Sequence, residues 1–97
     1  MAKKGYWIVC HISDAEGVVM AAYANAARPV IDAAGGRLII RGKPAKVCEA
    51  GVNEPAIVVE FQSLEKALAV YESAGYQAAV KILDRKVERD FRIVEGV

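Results

Sequence analysis

Thirteen basic and twelve acidic side chains in 97 residues leave a formal charge of +1, and no run of like charge exceeds Lys3-Lys4, which argues against nucleic acid as a partner because phosphate binding needs a concentrated basic footprint. Hydrophobic residues make up 55% of the chain, against a usual share of about 45–50%, and much of the excess is alanine and valine. This length suits a single domain over residues 1–97, with more apolar surface than one small core uses, so a partner chain would help.

The first predicted strand is Tyr6 to Ile12. The apolar run that contains it follows two lysines but is too short to span a bilayer and lacks a small-residue cleavage pattern, so it is expected to be a buried strand and not a leader. Ser13 and Asp14 are expected to cap the helix that follows, since either side chain can accept from its free amides. Val19, Tyr23, Ala26, Val30 and Ala34 recur at three- to four-residue spacing and predict one buried helical face. Pro29 predicts a bend over Asn25–Pro29, and Gly35 a left-handed helix end.

Leu38–Arg41 reads as the second strand, followed by a turn at Gly42-Lys43-Pro44 and a short extension from Ala45 to Glu49. Ala56–Phe61 reads as the third strand, and Ser63 caps a helix carrying Leu64, Ala67, Leu68 and Tyr71. Ser73-Ala74-Gly75 breaks that helix, and Tyr76, Ala79, Val80 and Leu83 form a second stripe before a closing strand, Phe91–Val94. The order β-α-β-β-α-β predicts an α+β domain of the ferredoxin-like, split βαβ kind, an antiparallel sheet with its helices on one face.

Tyr6–Cys10 and Ile57–Val59 are apolar at both parities. Both sheet faces therefore need cover, the helices supply only one, and a second identical chain is the economical cover for the other. Alternation places Ile57, Val59 and Phe61 against the helices. It turns Val58, Glu60, Trp7, Val9, His11, Ile39, Arg41 and Arg92 to the opposite face, an assignment that one bulge would reverse.

His11 is the only histidine and Glu60 lies within an apolar strand, so these two are the candidate acid–base residues. Each has a structural reading as well: a hydrogen-bonded strand histidine, and a Glu60–Arg41 ion pair. Tyr71 and Tyr76 flank the helix break and serve either a ligand or the packing of helix on sheet; Arg85 has Asp84, Glu88 and Asp90 as ordinary partners. Trp7, Arg41, Tyr71, Tyr76 and Arg85 form the candidate substrate-binding set. No metal is expected, because one histidine and the distant Cys10 and Cys48 have no ligand spacing. The cysteines read as small buried residues in a reducing, cytoplasmic setting. Phosphate loops and nucleophile motifs are absent, and no cofactor is expected.

Gly5-Tyr6-Trp7-Ile8, Gly35 to Gly42, Val58 to Ser63, Tyr71-Glu72-Ser73, Tyr76 to Ala79 and Ile93 to Gly96 together resemble the family catalogued as domain of unknown function 1330. Lys43 stands where that family usually has a second glycine, Val70 where it often has tryptophan, and Asn53-Glu54-Pro55 where it often has a basic residue. The resemblance implies a dimeric α+β barrel, two ferredoxin-like chains packed sheet to sheet, and by analogy cofactor-independent oxygenase or isomerase chemistry. It assigns no ligand.

The leading functional expectation is a cytoplasmic homodimer that binds a small, partly apolar molecule between sheet and helices, with carboxylate-bearing molecules among the ligands considered. The alternative is a non-catalytic interaction or regulatory module with a filled core. RNA recognition shares the strand order, but Ala56–Phe61 lacks the basic residue and interleaved aromatics that it needs. Neither nucleic acid nor membrane is expected as a partner.

Overall fold

The computed structural model describes residues 3–13 and 16–97. Four strands and three helices follow in the order β1 (Gly5–His11), α1 (Gly17–Ala33), β2 (Arg37–Gly42), β3 (Ala56–Phe61), α2 (Leu64–Glu72), α3 (Ala74–Leu83) and β4 (Arg89–Glu95). The sheet order is β2-β3-β1-β4 with every neighbouring pair antiparallel, the ferredoxin-like arrangement expected from the element order.

Local chemistry explains the breaks between elements. Ser63 accepts from the Lys66 amide at 3.1 Å and so caps α2. Ser73 serves two helices: its hydroxyl donates to the Val70 carbonyl at 2.7 Å and accepts from the Tyr76 amide at 3.3 Å, closing α2 and opening α3. Gly35, at φ 78°, supplies the left-handed residue after α1. Helix α1 runs through Pro29 to Ala33 with Ala27 and Ile31 buried, so the centre of its buried stripe lies about one residue beyond the predicted one. Its N-cap is Glu16, without a side-chain cap bond. Ser13 instead accepts from the Glu88 amide at 2.8 Å, tying the end of β1 to the entry of β4; Asp14, the other expected cap, lies outside the described residues. The predicted extension at Ala45–Glu49 is loop.

Register corrects the assignment of faces. Trp7 pairs with Val59 and Val9 with Ile57, and opposed residues of an antiparallel pair share a face. Trp7, Val9 and His11 therefore face the helices, not the opposite side. An alternation that is apolar at both parities carries no information about which set points inward; the register supplies it. On β2 the cause is the bulge that the alternation argument left open: Leu38 pairs with Val59 and Ile40 with Val58, so Ile39 is the extra residue and Arg41, paired with Ile57, returns to the helix side. Val58, Glu60 and Arg92 keep their predicted outward face, together with Tyr6, Ile8 and Cys10.

The core is an aromatic cluster around Trp7, which is 1% exposed. The ring centroids of Tyr76, Phe61 and Phe91 lie 4.6, 4.8 and 5.3 Å from it, and that of Tyr71 lies edge-on at 6.2 Å. The Trp7 indole N–H donates to the Ala67 carbonyl at 2.9 Å, joining β1 to α2 and satisfying its one polar atom. Gly5 permits the close approach of β1 to the start of α2, since a Cβ there would lie 2.7 Å from the Leu64 Cα.

The outer face carries Ile8, Ile40 and Val94 at 37%, 52% and 42% exposure. Cys10 and Cys48 are both free and exposed, which corrects their reading as buried residues; Cys10 has the outward parity of β1, and Cys48 lies in the loop between β2 and β3. Among the described residues, no helix is long and apolar enough to cross a membrane.

Candidate functional site

A cavity of about 520 Å³ lies between α1 and the helix-facing side of the sheet, a volume suited to a small organic molecule. Its walls are mostly apolar: Trp7, Val9, Ile57, Val59 and Phe91 from the sheet, Ala27 and Ile31 from α1. Polar groups enter at few points, namely His11, Tyr23, Asn25, Arg28, Arg41, Tyr76 and Arg89.

Arg89 dominates the electrostatics. It opens β4 with His11 of β1 directly opposite. Its guanidinium carbon lies 5.1 Å from the Tyr23 ring centroid and 5.3 Å from that of Phe91, close enough for both ring faces to stabilise the cation. Nη1 donates to the Tyr23 hydroxyl at 3.2 Å, and that hydroxyl shares a short hydrogen bond with Tyr76. The ion pairs among the described residues are Arg28–Asp32 and Arg92–Asp90, so no described carboxylate neutralises Arg89. A guanidinium has five N–H donors, of which Nη1 donates to Tyr23. Tyr76 is fully buried, and burial first, then the neighbouring Tyr23, pushes its hydroxyl far above the ordinary phenol range, so it stays a neutral donor.

His11 is 6% exposed and its Nε2 is buried without a hydrogen-bond partner among the described residues. Its backbone N–H donates to the Pro55 carbonyl at 3.0 Å, which fixes the Glu54–Pro55 segment beside the end of β1. Glu54 Oε1 is likewise buried without a partner. Burial and then the Arg89 charge lower the imidazole pKa below its usual 6.5, while Glu54 pulls it the other way. The folded state thus favours neutral His11, and just below pH 6.5 the unfolded chain binds more protons than the folded one. This contribution to stability is complete above the unfolded value and is lost as pH falls through the folded one. Thermal melts at about pH 7.5 and about pH 5.5 are expected to show a smaller acid-induced drop in His11→Gln than in wild type. Equal drops would refute the buried, neutral assignment.

Of the residues singled out from sequence, Trp7, His11, Arg41 and Tyr76 line the cavity. Tyr71 stands behind Trp7, and its carbonyl accepts from Gln77 Nε2 at 2.6 Å. Glu60 lies on the outer face, where its Oε2 accepts from the Tyr6 hydroxyl at 2.9 Å. The considered Glu60–Arg41 pair is not formed, because the β2 bulge turns Arg41 to the other side of the sheet. Arg85 is exposed in the left-handed turn after α3, at φ 58°. Arg89 was missed because the closing strand was begun at Phe91. Extending the same alternation by two residues places Arg89 beside Phe91 on the inward face. No group of three or more His, Cys, Asp or Glu able to hold a metal ion is found among the described residues.

No curated protein matches the chain. Among solved structures, a protein of unknown function from Rhodopseudomonas palustris is similar at TM-score 0.71 and 14% identity, over 100% of this chain and 85% of that one. A dimeric ferredoxin-like protein of unknown function from Thermobifida fusca is similar at TM-score 0.62 and 12% identity, over 98% and 92%. A candidate antibiotic biosynthesis monooxygenase from Nitrosomonas europaea is similar at TM-score 0.62 and 14% identity, over 100% and 93%. At these identities the likeness is one of fold, in agreement with the sheet order and the placement of the helices. The family model described as "Domain of unknown function (DUF1330)" matches residues 4–97, and the chain belongs to that family.

Proposed function

We propose that the protein binds a small, largely apolar molecule carrying a carboxylate in the cavity between α1 and the sheet. Arg89 anchors the anion, Arg41 adds a second positive charge, and Trp7 and Tyr76 pack against the apolar body. The observation that carries this reading is Arg89 itself: a guanidinium in an apolar cavity, held by rings and one hydroxyl, with no described carboxylate to neutralise it. A cavity of about 520 Å³ also favours a ligand over the filled core of a purely structural module. The functional unit is a homodimer joined through the outer sheet face, and the setting is the cytoplasm. The dimeric ferredoxin-like neighbour from Thermobifida fusca and the exposed apolar residues of that face support the assembly.

Trp7 is the only tryptophan and lines the cavity, so its fluorescence reports occupancy. Phenylacetate is expected to bind, and phenylacetamide, equal in shape but uncharged, to bind at least about tenfold more weakly; Arg89→Gln should weaken phenylacetate binding by about 10- to 100-fold, the range of a lost charge-assisted hydrogen bond. Acid and amide binding equally well would overturn the reading. Chemistry on the bound molecule is a second reading, favoured by His11 Nε2, which has no partner among the described residues. The likeness to the candidate monooxygenase from Nitrosomonas europaea makes oxygenase chemistry its natural form.

A further inference from the structure

We propose that anion binding in this cavity is coupled to the uptake of one proton by His11, which then pairs with Glu54, so that the ligand is taken up as the equivalent of its neutral acid. The inference rests on the reading of Arg89 as the anion anchor and deepens it.

The geometry is a line of three groups across neighbouring segments. Arg89 on β4 faces His11 on β1 in register, and the backbone bond from His11 to Pro55 sets Glu54 on the other flank. His11 Nε2 and Glu54 Oε1 are both buried and both lack a partner among the described residues. Two orphaned polar atoms in one buried neighbourhood are costly, and a proton on the imidazole would relieve both. Imidazolium carries N–H on each ring nitrogen whatever the neutral tautomer, so Nε2 becomes a donor towards the carboxylate.

In the empty cavity the cation at Arg89 opposes that protonation and Glu54 favours it. The other charged or titratable groups lining the site are Arg41 from β2, Tyr23 and Arg28 from α1, and Tyr76 from α3. A ligand carboxylate on Arg89 cancels the opposing charge and adds an attractive one. The balance is simple: one anion enters from solution, one proton moves from solvent to His11 Nε2, and no other bond changes. By linkage, a group that binds protons more tightly in the complex makes affinity rise as pH falls through its window.

His11 is the only histidine, so the imidazole C–H resonances of the protein arise from it alone. The experiment is an NMR pH titration of those resonances with and without saturating phenylacetate, joined to calorimetric titration near pH 6 in buffers of different ionisation enthalpy. The expected result is an upward move of the His11 midpoint by about one unit, with affinity rising about tenfold across the acid side and net proton uptake on binding. His11→Gln should bind phenylacetate without proton uptake. Binding with an unmoved His11 midpoint, or uptake that persists in His11→Gln, would overturn this inference and leave the anion site standing. No binding of phenylacetate would overturn both. The wild-type NMR titration decides the matter even where the variant fails to fold.

Discussion

Trp7→Ala is expected to destabilise the protein by about 3–5 kcal/mol, the range for removing a fully buried large aromatic. The substitution removes the hub that Tyr76, Phe61, Phe91 and Tyr71 surround, and it leaves the Ala67 carbonyl without the indole N–H that it accepts. Relaxation has little scope to close the gap, because the indole is held from opposite sides: β1 supplies its backbone, and α2 and α3 supply its cover. Small domains have about 5–15 kcal/mol of stability in total, so about a fifth or more would be lost. Denaturant unfolding followed by circular dichroism measures it, since the fluorophore itself is removed. A loss under about 1 kcal/mol would mean that Trp7 is not the centre of the core.

Val58→Asp is expected to convert a dimer into a folded monomer. Val58 lies on the outer face with Ile8 opposite on β1 and Ile40 opposite on β2, both exposed in the single chain. An aspartate at this position is tolerable facing water. Against a second sheet its unpaired charge would be desolvated at a cost of several kcal/mol, which weakens association by about 100-fold or more. Light scattering should find about twice 10.4 kDa for the wild type and the single-chain mass for the variant, with helix and strand content kept. A wild-type mass that stays monomeric at all concentrations would remove the dimer, and an associated Val58→Asp would place the interface elsewhere.

The two experiments separate the faces of one sheet. Trp7 and Val58 sit on neighbouring strands with side chains pointing to opposite sides, so one substitution tests the helix-covered core and the other the uncovered face. Arg89→Gln then tests the cavity beside that core, because the side chain lies at the cluster's edge, over Phe91 and hydrogen-bonded to Tyr23.

Much of this fold was legible in the residues because it depends on local signals. The third strand has the predicted bounds, Ala56–Phe61. Ser63 caps as expected, and the helix break falls at Ser73, where a serine can end one helix and begin the next. Gly35 takes the left-handed conformation. These features rest on hydrogen bonds made within a few residues of chain, and such bonds are written in residue type and spacing. The order of elements then selects the ferredoxin-like sheet from few alternatives.

The candidate site was legible only in part. Trp7, His11, Arg41 and Tyr76 were named from sequence and line one cavity. Glu60 and Arg85 were named beside them and stand apart, while Arg89 and Tyr23, which carry the charge and its hydrogen bond, were not named as binding residues.

Residue type, spacing and alternation by themselves determined the order of the helices and the four strands, the Ser63 cap, the break at Ser73, the antiparallel α+β class and the presence of apolar residues on both sides of the central strands. Tertiary structure alone decided which side of β1 and β2 faces the helices. An apolar residue at every position satisfies either orientation equally, and only strand register, a single extra residue at Ile39 and the Trp7–Ala67 bond break the tie. The same choice swings Arg41 into the cavity and Glu60 out of it, because a shift of one residue in a strand reverses every side chain that follows.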